Sequence, residues 1–396
     1  MKRSTSFFVT APLLSILLAC GGSPPPENTT PAPEATTPPA VTAAPAETAP
    51  KPAEPTPEEK KKAEALKELE KDRAKMKADH EAEKARWTPE LKKEAQALAD
   101  KSYASGKEAI KAAATSKARK PGSADRDKYR HPVETLEFFG FKPTMTVLEY
   151  GPGEGWYTEL LAPALAKKGK LVVTNGDPNG PPEERGTFYA ERVKLMLESS
   201  PEMFGKVETV IVDPKAPKIS GKDGQVDMAI VMRSLHGMVN AGKLDEWLAA
   251  IHASLKPNGV LGIEQHRAAP DAKPEESAKK GYLPEKWVIE RVEAAGFKLA
   301  GKSEINANPK DTKDYAEGVW ALPPSLKLGD KDREKYVGIG ESDRMTLKFT
   351  KVAAKPAAGA AAPPAKPAAG AAAPAAKPAA GNAGSAPAPA PAPAKK

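Results

Sequence analysis

A single cysteine, Cys20, stands in a chain of 396 residues, so no internal disulfide can hold the fold together. The apolar run from Phe7 to Leu18 is broken by Pro12 and falls short of the roughly 20 residues that cross a bilayer. Histidines are few, and His80, His131 and His252 are scattered without metal-ligand spacing, so no metal site is assigned. The chain has no Gly-x-Ser-x-Gly turn, no Walker phosphate loop and no cysteine-based site, which removes three classes of nucleophile or nucleotide chemistry. The net charge of +8 arises from Lys and Arg interleaved with Glu and Asp rather than gathered beside aromatics. No nucleic-acid partner follows from such a pattern.

The two ends have compositions that cannot pack a core. Residues 1–20 carry Lys2 and Arg3, then the apolar run, then Leu17-Leu18-Ala19-Cys20, and read as a secretory signal. That ending resembles the lipobox of bacterial lipoproteins. The resemblance implies cleavage before Cys20, lipidation of Cys20 and anchoring to a membrane at its periplasmic face; Gly21 points to the outer membrane of a Gram-negative cell. Residues 21–56 are dominated by Pro, Ala, Thr and Glu, and in residues 353–396 the run Lys-Pro-Ala-Ala-Gly begins at Lys355, Lys366 and Lys377. Too little apolar bulk is present in either to offset the entropy of ordering, so both are expected to be disordered. An inert spacer is the plain reading of each, and contact with the cell wall is the other.

Residues 57–122 form a helical segment. Thr56-Pro57-Glu58-Glu59 supplies an N-cap, a proline at the first helical position and early carboxylates. Leu66, Leu69 and Met76 are too sparse for a buried face, so the first helix is expected to project or to serve as a loose coiled-coil partner. A second start at Thr88-Pro89-Glu90 opens an amphipathic stretch with Leu91, Ala95, Leu98, Tyr103 and Ile110, expected to pack on the core.

The globular domain is 123–352. Thr146-Val147-Leu148-Glu149 reads as a buried strand, Gly151-Pro152-Gly153-Glu154-Gly155 follows it, and a helix runs from Trp156 to Ala166. Glycines let a loop approach a ligand closely, and a helix start beyond them favours an anion. A nicotinamide loop would read Gly-x-Gly-x-x-Gly with an acid about 20 residues later; this one reads Gly-x-Gly-x-Gly with Glu149 before it. Further strands are read at 169–174, 207–212, 226–232, 260–264 and 345–351, alternating with helices at 243–255 and 285–295. The fold class is therefore α/β, a mostly parallel sheet with helices on both faces.

The run Val147-Leu148-Glu149-Tyr150-Gly151-Pro152-Gly153-Glu154-Gly155-Trp156-Tyr157-Thr158 resembles the first motif of class I S-adenosylmethionine-dependent methyltransferases, whose fold is Rossmann-like. The resemblance implies S-adenosyl-L-methionine as cofactor, with Gly151, Gly153 and Gly155 around its amino-acid end and Glu149 at its ammonium side. It also implies ribose binding by Asn175 or Asp177, although the family usually has an acid where Asn175 stands, and an adenine contact from Asp213. The amine-methylating Asn/Asp-Pro-Pro-Tyr motif is absent after the fourth strand, which weakens DNA or glutamine methylation.

Two histidines follow neighbouring strands, His236 after the fourth and His266 after the fifth, with Arg267 beside the latter. Ligands gather at the carboxyl ends of such strands. His236 is therefore the first candidate for the base, His266 the second, and Arg267 for orienting an anionic acceptor; a structural role for either histidine is the alternative. The acceptor class is a small molecule or an envelope component. A non-catalytic exported binding module that keeps the fold is the rival reading. The stretch 304–344, rich in Pro, Gly, Asp and Lys, reads as a passive surface loop or a lid over the acceptor.

Overall fold

The computed structural model describes residues 56–352. The signal-like segment, Cys20, the linker before Thr56 and the tail from 353 lie outside the described residues. Five helices precede the sheet: α1 (Pro57–Arg86), α2 (Pro89–Asp100), α3 (Gly106–Ala114), α4 (Asp127–Arg130) and α5 (Pro132–Phe139). Strands and helices then alternate as β1 (Thr146–Glu149), α6 (Thr158–Leu165), β2 (Lys170–Asn175), α7 (Arg185–Glu198), α8 (Pro201–Phe204), β3 (Glu208–Ile211) and β4 (Val226–Met232). The remainder is α9 (Leu235–Asn240), α10 (Leu244–Ser254), β5 (Leu255–His266), α11 (Pro274–Ala278), α12 (Glu285–Ala294), β6 (Phe297–Ser303), α13 (Arg333–Ile339) and β7 (Arg344–Lys351).

The seven strands form one sheet in the order β3-β2-β1-β4-β5-β7-β6. All neighbours are parallel except that β7 runs antiparallel to both β5 and β6. Because side chains alternate across a strand, Val147 and Leu148 point to opposite faces, as do Met228 and Ala229. Each face has its own core. Val147, Val173, Met228 and Ile230 pack with Ala95, Ile110, Leu136 and Leu160 from α2, α3, α5 and α6. Leu148, Val172, Ala229 and Val231 pack with Leu248, Ile251, Val288 and Val292 from α10 and α12. The α2–α3 pair is thus part of the main core, as its amphipathic spacing predicts. Strand order reverses between β1 and β4, and such a reversal opens a crevice at the strands' carboxyl ends.

Several elements differ from the sequence reading, and the edge strand β6 was not among the strands expected. The helix after the glycine loop starts at Thr158, two residues later than expected, because Gly151 to Tyr157 is loop and turn. β5 starts earlier than expected, at Leu255, which pairs with Val226 of β4. The first helix does not simply project: Leu69 and Met76, spaced seven apart, bury themselves against Phe188 of α7 with Leu195 beside them. Arg73 pairs with Glu191, and Arg185 with Asp72, on either side of that contact.

The 304–344 stretch carries structure of its own. A short 3-10 turn at Gly318–Ala321 and α13 close over a small core of Tyr315, Ala321, Leu322 and Tyr336. Asn306 anchors its start, donating to Thr135 and Thr346 at 3.0 Å each.

Truncating one buried leucine leaves a cavity and removes about 2 kcal/mol or more. Leu69→Ala is therefore expected to loosen α1, giving faster tryptic cleavage within it while amide-exchange protection of the sheet is unchanged. Loss of protection throughout the sheet would contradict this satellite packing.

Candidate functional site

β1 ends on Glu149 at the crevice, and the chain turns there through three left-handed glycines, with φ of 52° at Gly151, 63° at Gly153 and 83° at Gly155. Only glycine adopts these angles without strain. A Cβ on Gly151 or Gly153 would meet nothing within 4 Å, so both face open space; one on Gly155 would come to 2.8 Å from Met196. The loop is pinned from both sides of β1. The Gly151 N–H donates to Thr174 Oγ1 of β2 at 3.0 Å, and the Tyr150 N–H donates to the Ile230 carbonyl of β4 at 3.0 Å.

Beside the loop lies a cleft of about 230 Å³. Its walls are Glu149 to Glu154, Trp156 and Tyr157 from the loop, Met232 to Ser234 after β4, and Arg126 and Arg130 from the segment before α5. Of the residues expected to hold a cofactor, Glu149, Gly151 and Gly153 line this cleft, and Gly155 closes the loop beneath it.

Glu149 is 3% exposed and accepts a hydrogen bond from Thr158 Oγ1 at 2.8 Å. Burial pushes its carboxyl up to about 7, against the opposing pull of Thr158 and Arg233. A cation beside it would recover the ionised form. That suits an ammonium group.

The arginines around the cleft were not singled out by the sequence. Arg126 and Arg130 both pair with Glu341, at 2.8 and 3.1 Å, and Arg344 joins them at 2.7 Å. Arg233 and Arg344 pair with Glu264 at 3.1 Å each, and Tyr157 donates its hydroxyl to the same carboxylate at 3.0 Å. Arg130 also stacks on Trp156, 4.6 Å from the ring centre. Arg233 holds φ at 57°, a left-handed conformation unfavourable for a long side chain, and its N–H donates to the Glu264 carbonyl at 2.6 Å. The one sequence signal for it was position, directly after the fourth strand.

The expected catalytic residues come together only in part. His236 and His266 do converge, with ring centres 5.7 Å apart, but neither is among the cleft-lining residues. Gln265 Nε2 donates to the Gly281 carbonyl at 2.9 Å and contacts His236 Nδ1 at 3.3 Å. The carbonyl fixes the amide, so Nδ1 of His236 accepts and its proton resides on Nε2. Burial lowers the basicity of His236. His266 is held by Ser342 at 2.5 Å, and burial, with His236, Arg344 and Arg233 nearby, drives it well below the usual histidine range. Trp320 of the 304–344 stretch meets His236 edge-on at 6.0 Å, so this stretch covers the histidine pair.

Arg267 pairs with Glu304 at 2.7 Å, Glu285 at 3.1 Å and Asp343 at 4.0 Å. It is not among the cleft-lining residues. Asn175 uses both ends of its amide locally, donating to the Ala190 carbonyl and accepting from the Gly176 N–H, each at 3.0 Å. Asp177 and Asp213 each accept from a backbone N–H two residues on, at 2.8 and 2.9 Å, as turn-capping carboxylates do. None of these three lines the cleft. Among the described residues, no cluster of three or more His, Cys, Asp or Glu could hold a metal ion, and no helix is long and apolar enough to cross a membrane.

A carboxyl raised from 4.5 to about 7 binds its proton more tightly in the folded state. Its contribution is therefore a loss of stability as pH rises from about 4.5 to 7, levelling above that. Glu149→Gln is expected to flatten the fall in melting temperature between pH 5 and 7.5. Parallel pH profiles for the two proteins would show that Glu149 is not the group responsible.

Residues 124–298 match the family model described as a methyltransferase domain. No curated protein matches the chain. Solved structures similar to it include an S-adenosylmethionine-dependent methyltransferase from Aquifex aeolicus, 19% identical over 58% of this chain and 93% of that one, with a TM-score of 0.38. Another is the Burkholderia thailandensis 1,6-didemethyltoxoflavin-N1-methyltransferase with bound 1,6-didemethyltoxoflavin and S-adenosylhomocysteine, 16% identical over 57% of this chain and 78% of that one, with a TM-score of 0.34. The family match supports S-adenosylmethionine as the cofactor and methyl transfer as the general chemistry. Sheet order, glycine loop and matched segment together give this domain the Rossmann-like fold of class I methyltransferases.

Proposed function

We propose that the protein is an S-adenosylmethionine-dependent methyltransferase, lipid-anchored through Cys20 at the periplasmic face of an outer membrane and acting on a small-molecule or envelope acceptor. One observation carries the reading: a left-handed glycine loop after β1 faces an open cleft that has a buried carboxylate, Glu149, at its base. Gly151 and Gly153 would let the ligand's amino-acid end lie against backbone, and Glu149 would meet its ammonium group. The cofactor, when bound, supplies an electrophilic methyl on a cationic sulfur. The protein's own task is then to place an acceptor in line and to keep water out. Tyr150, Trp156 and Tyr157 supply the aromatic part of the wall.

A second reading, an exported binding module that keeps the fold without turnover, draws support from Asn175. Its amide is committed to backbone where methyltransferases usually offer the ribose a carboxylate. Titration calorimetry of the full-length protein with S-adenosylhomocysteine separates the two: heat of binding is expected, and none at millimolar ligand would leave only the binding-module reading. Gly153→Val places a side chain in the open space beside the loop at a φ that valine resists. It is expected to weaken that binding about a hundredfold, roughly 2.7 kcal/mol, while the backbone strain lowers the melting temperature and leaves the unfolding transition cooperative. For the anchor, Cys20→Ser is expected to move the protein from the membrane fraction to the soluble one; unchanged fractionation would contradict lipidation.

A further inference from the structure

The cleft carries a charge surplus that a cationic methyl donor does not relieve. Three guanidinium groups, those of Arg126, Arg130 and Arg233, line the cleft, and together with Arg344, which does not line it, they pair with two carboxylates, Glu264 and Glu341. Glu149 adds a third carboxyl at the cleft base, and Glu154 at its rim is paired with Arg192. A sulfonium ligand with one ammonium and one carboxylate has a net charge of +1, so its binding deepens the surplus rather than cancelling it. Concentrated positive charge at a partly buried site calls for an anion.

We infer that the methyl acceptor is a carboxylate, received by Arg233 with Arg126 and Arg130 beside it. This rests on the methyltransferase reading above and narrows its acceptor. Arg233 is placed for the task by the crevice geometry, directly after β4 at the reversal of strand order, with its backbone held in a left-handed conformation. Its guanidinium keeps one partner, Glu264, at 3.1 Å and stacks on Tyr157, 5.8 Å from the ring centre. A fork with five N–H donors retains donors for a second carboxylate beyond that pair. The chemistry agrees with the histidines. Methyl transfer to a carboxylate oxygen forms a C–O bond while the C–S bonding pair returns to sulfur, giving a neutral ester and a neutral thioether. No proton leaves the acceptor, so no base is required, and His236 with its Nδ1 engaged by Gln265 is not asked to be one.

The test compares acid and amide of the same shape. Full-length protein saturated with S-adenosylhomocysteine is titrated calorimetrically with hexanoate against hexanamide and with benzoate against benzamide. Each acid is expected to bind about tenfold or more tightly than its amide, since charge-assisted pairs to Arg are the stronger ones. Arg233→Gln is expected to erase that preference and Arg233→Lys to retain part of it. If Arg233→Gln fails to fold, Arg126→Gln makes the same comparison, because Glu341 keeps Arg130 and Arg344; its preference is expected to fall as well. Equal binding of acid and amide, or a preference that survives both glutamine variants, overturns the carboxylate assignment while S-adenosylhomocysteine binding preserves the methyltransferase reading. Failure of S-adenosylhomocysteine to bind removes both.

Discussion

The structure turns on two buried carboxylates, Glu264 on β5 and Glu341 before β7. An ionised group out of water is tolerated only with partners close at hand, and removing one partner from such a pair is strongly destabilising. Glu264 gathers Arg233 from the end of β4, Arg344 from β7 and the Tyr157 hydroxyl from the start of α6. Glu341 gathers Arg126 and Arg130 from the segment before α5, and shares Arg344 with Glu264. Satisfying these two groups fixes where five separate stretches of chain meet. That meeting place is the wall of the cleft.

The same network explains why the cleft is chemically asymmetric. The glycine loop and Glu149 offer backbone and a carboxyl that burial has raised to about 7, an environment that rewards an ammonium group. Arg126, Arg130 and Arg233 line the same cleft and bring positive charge beside Trp156 and Tyr157. A ligand with separated opposite charges is oriented by such a field before any shape-specific contact is made. The 304–344 stretch serves the arrangement from outside, supplying Glu341 and Arg344 at its end and Trp320 over His236.

Much of the fold was legible because it depends on local chemistry. The strand Thr146 to Glu149, three glycines and a following helix are short-range signals, and alternating apolar strands and helices imply a parallel sheet. The loop's turn was legible for the same reason. Residues of the cleft wall were not, since Arg126, Arg130 and Arg233 acquire meaning only through Glu341 and Glu264, more than 200 residues and 31 residues away respectively. The histidines' hydrogen bonding was likewise not legible, since Gln265 and Ser342 are invisible as their partners in sequence. Asn175 was legible as a departure from the family pattern, but its use of both amide ends was not. Helix α1 shows how two apolar residues seven apart suffice to dock a charged helix once Phe188 is opposite them.

The central claim is that the cleft between the glycine loop and Arg233 is where the methyl donor's amino-acid end resides. A crystal structure of the protein grown with S-adenosylhomocysteine tests this most directly. The account predicts ligand density with its ammonium at Glu149 and its backbone-facing edge against Gly151 and Gly153. Ligand density elsewhere on the molecule, with the cleft closed by its own side chains, would contradict it.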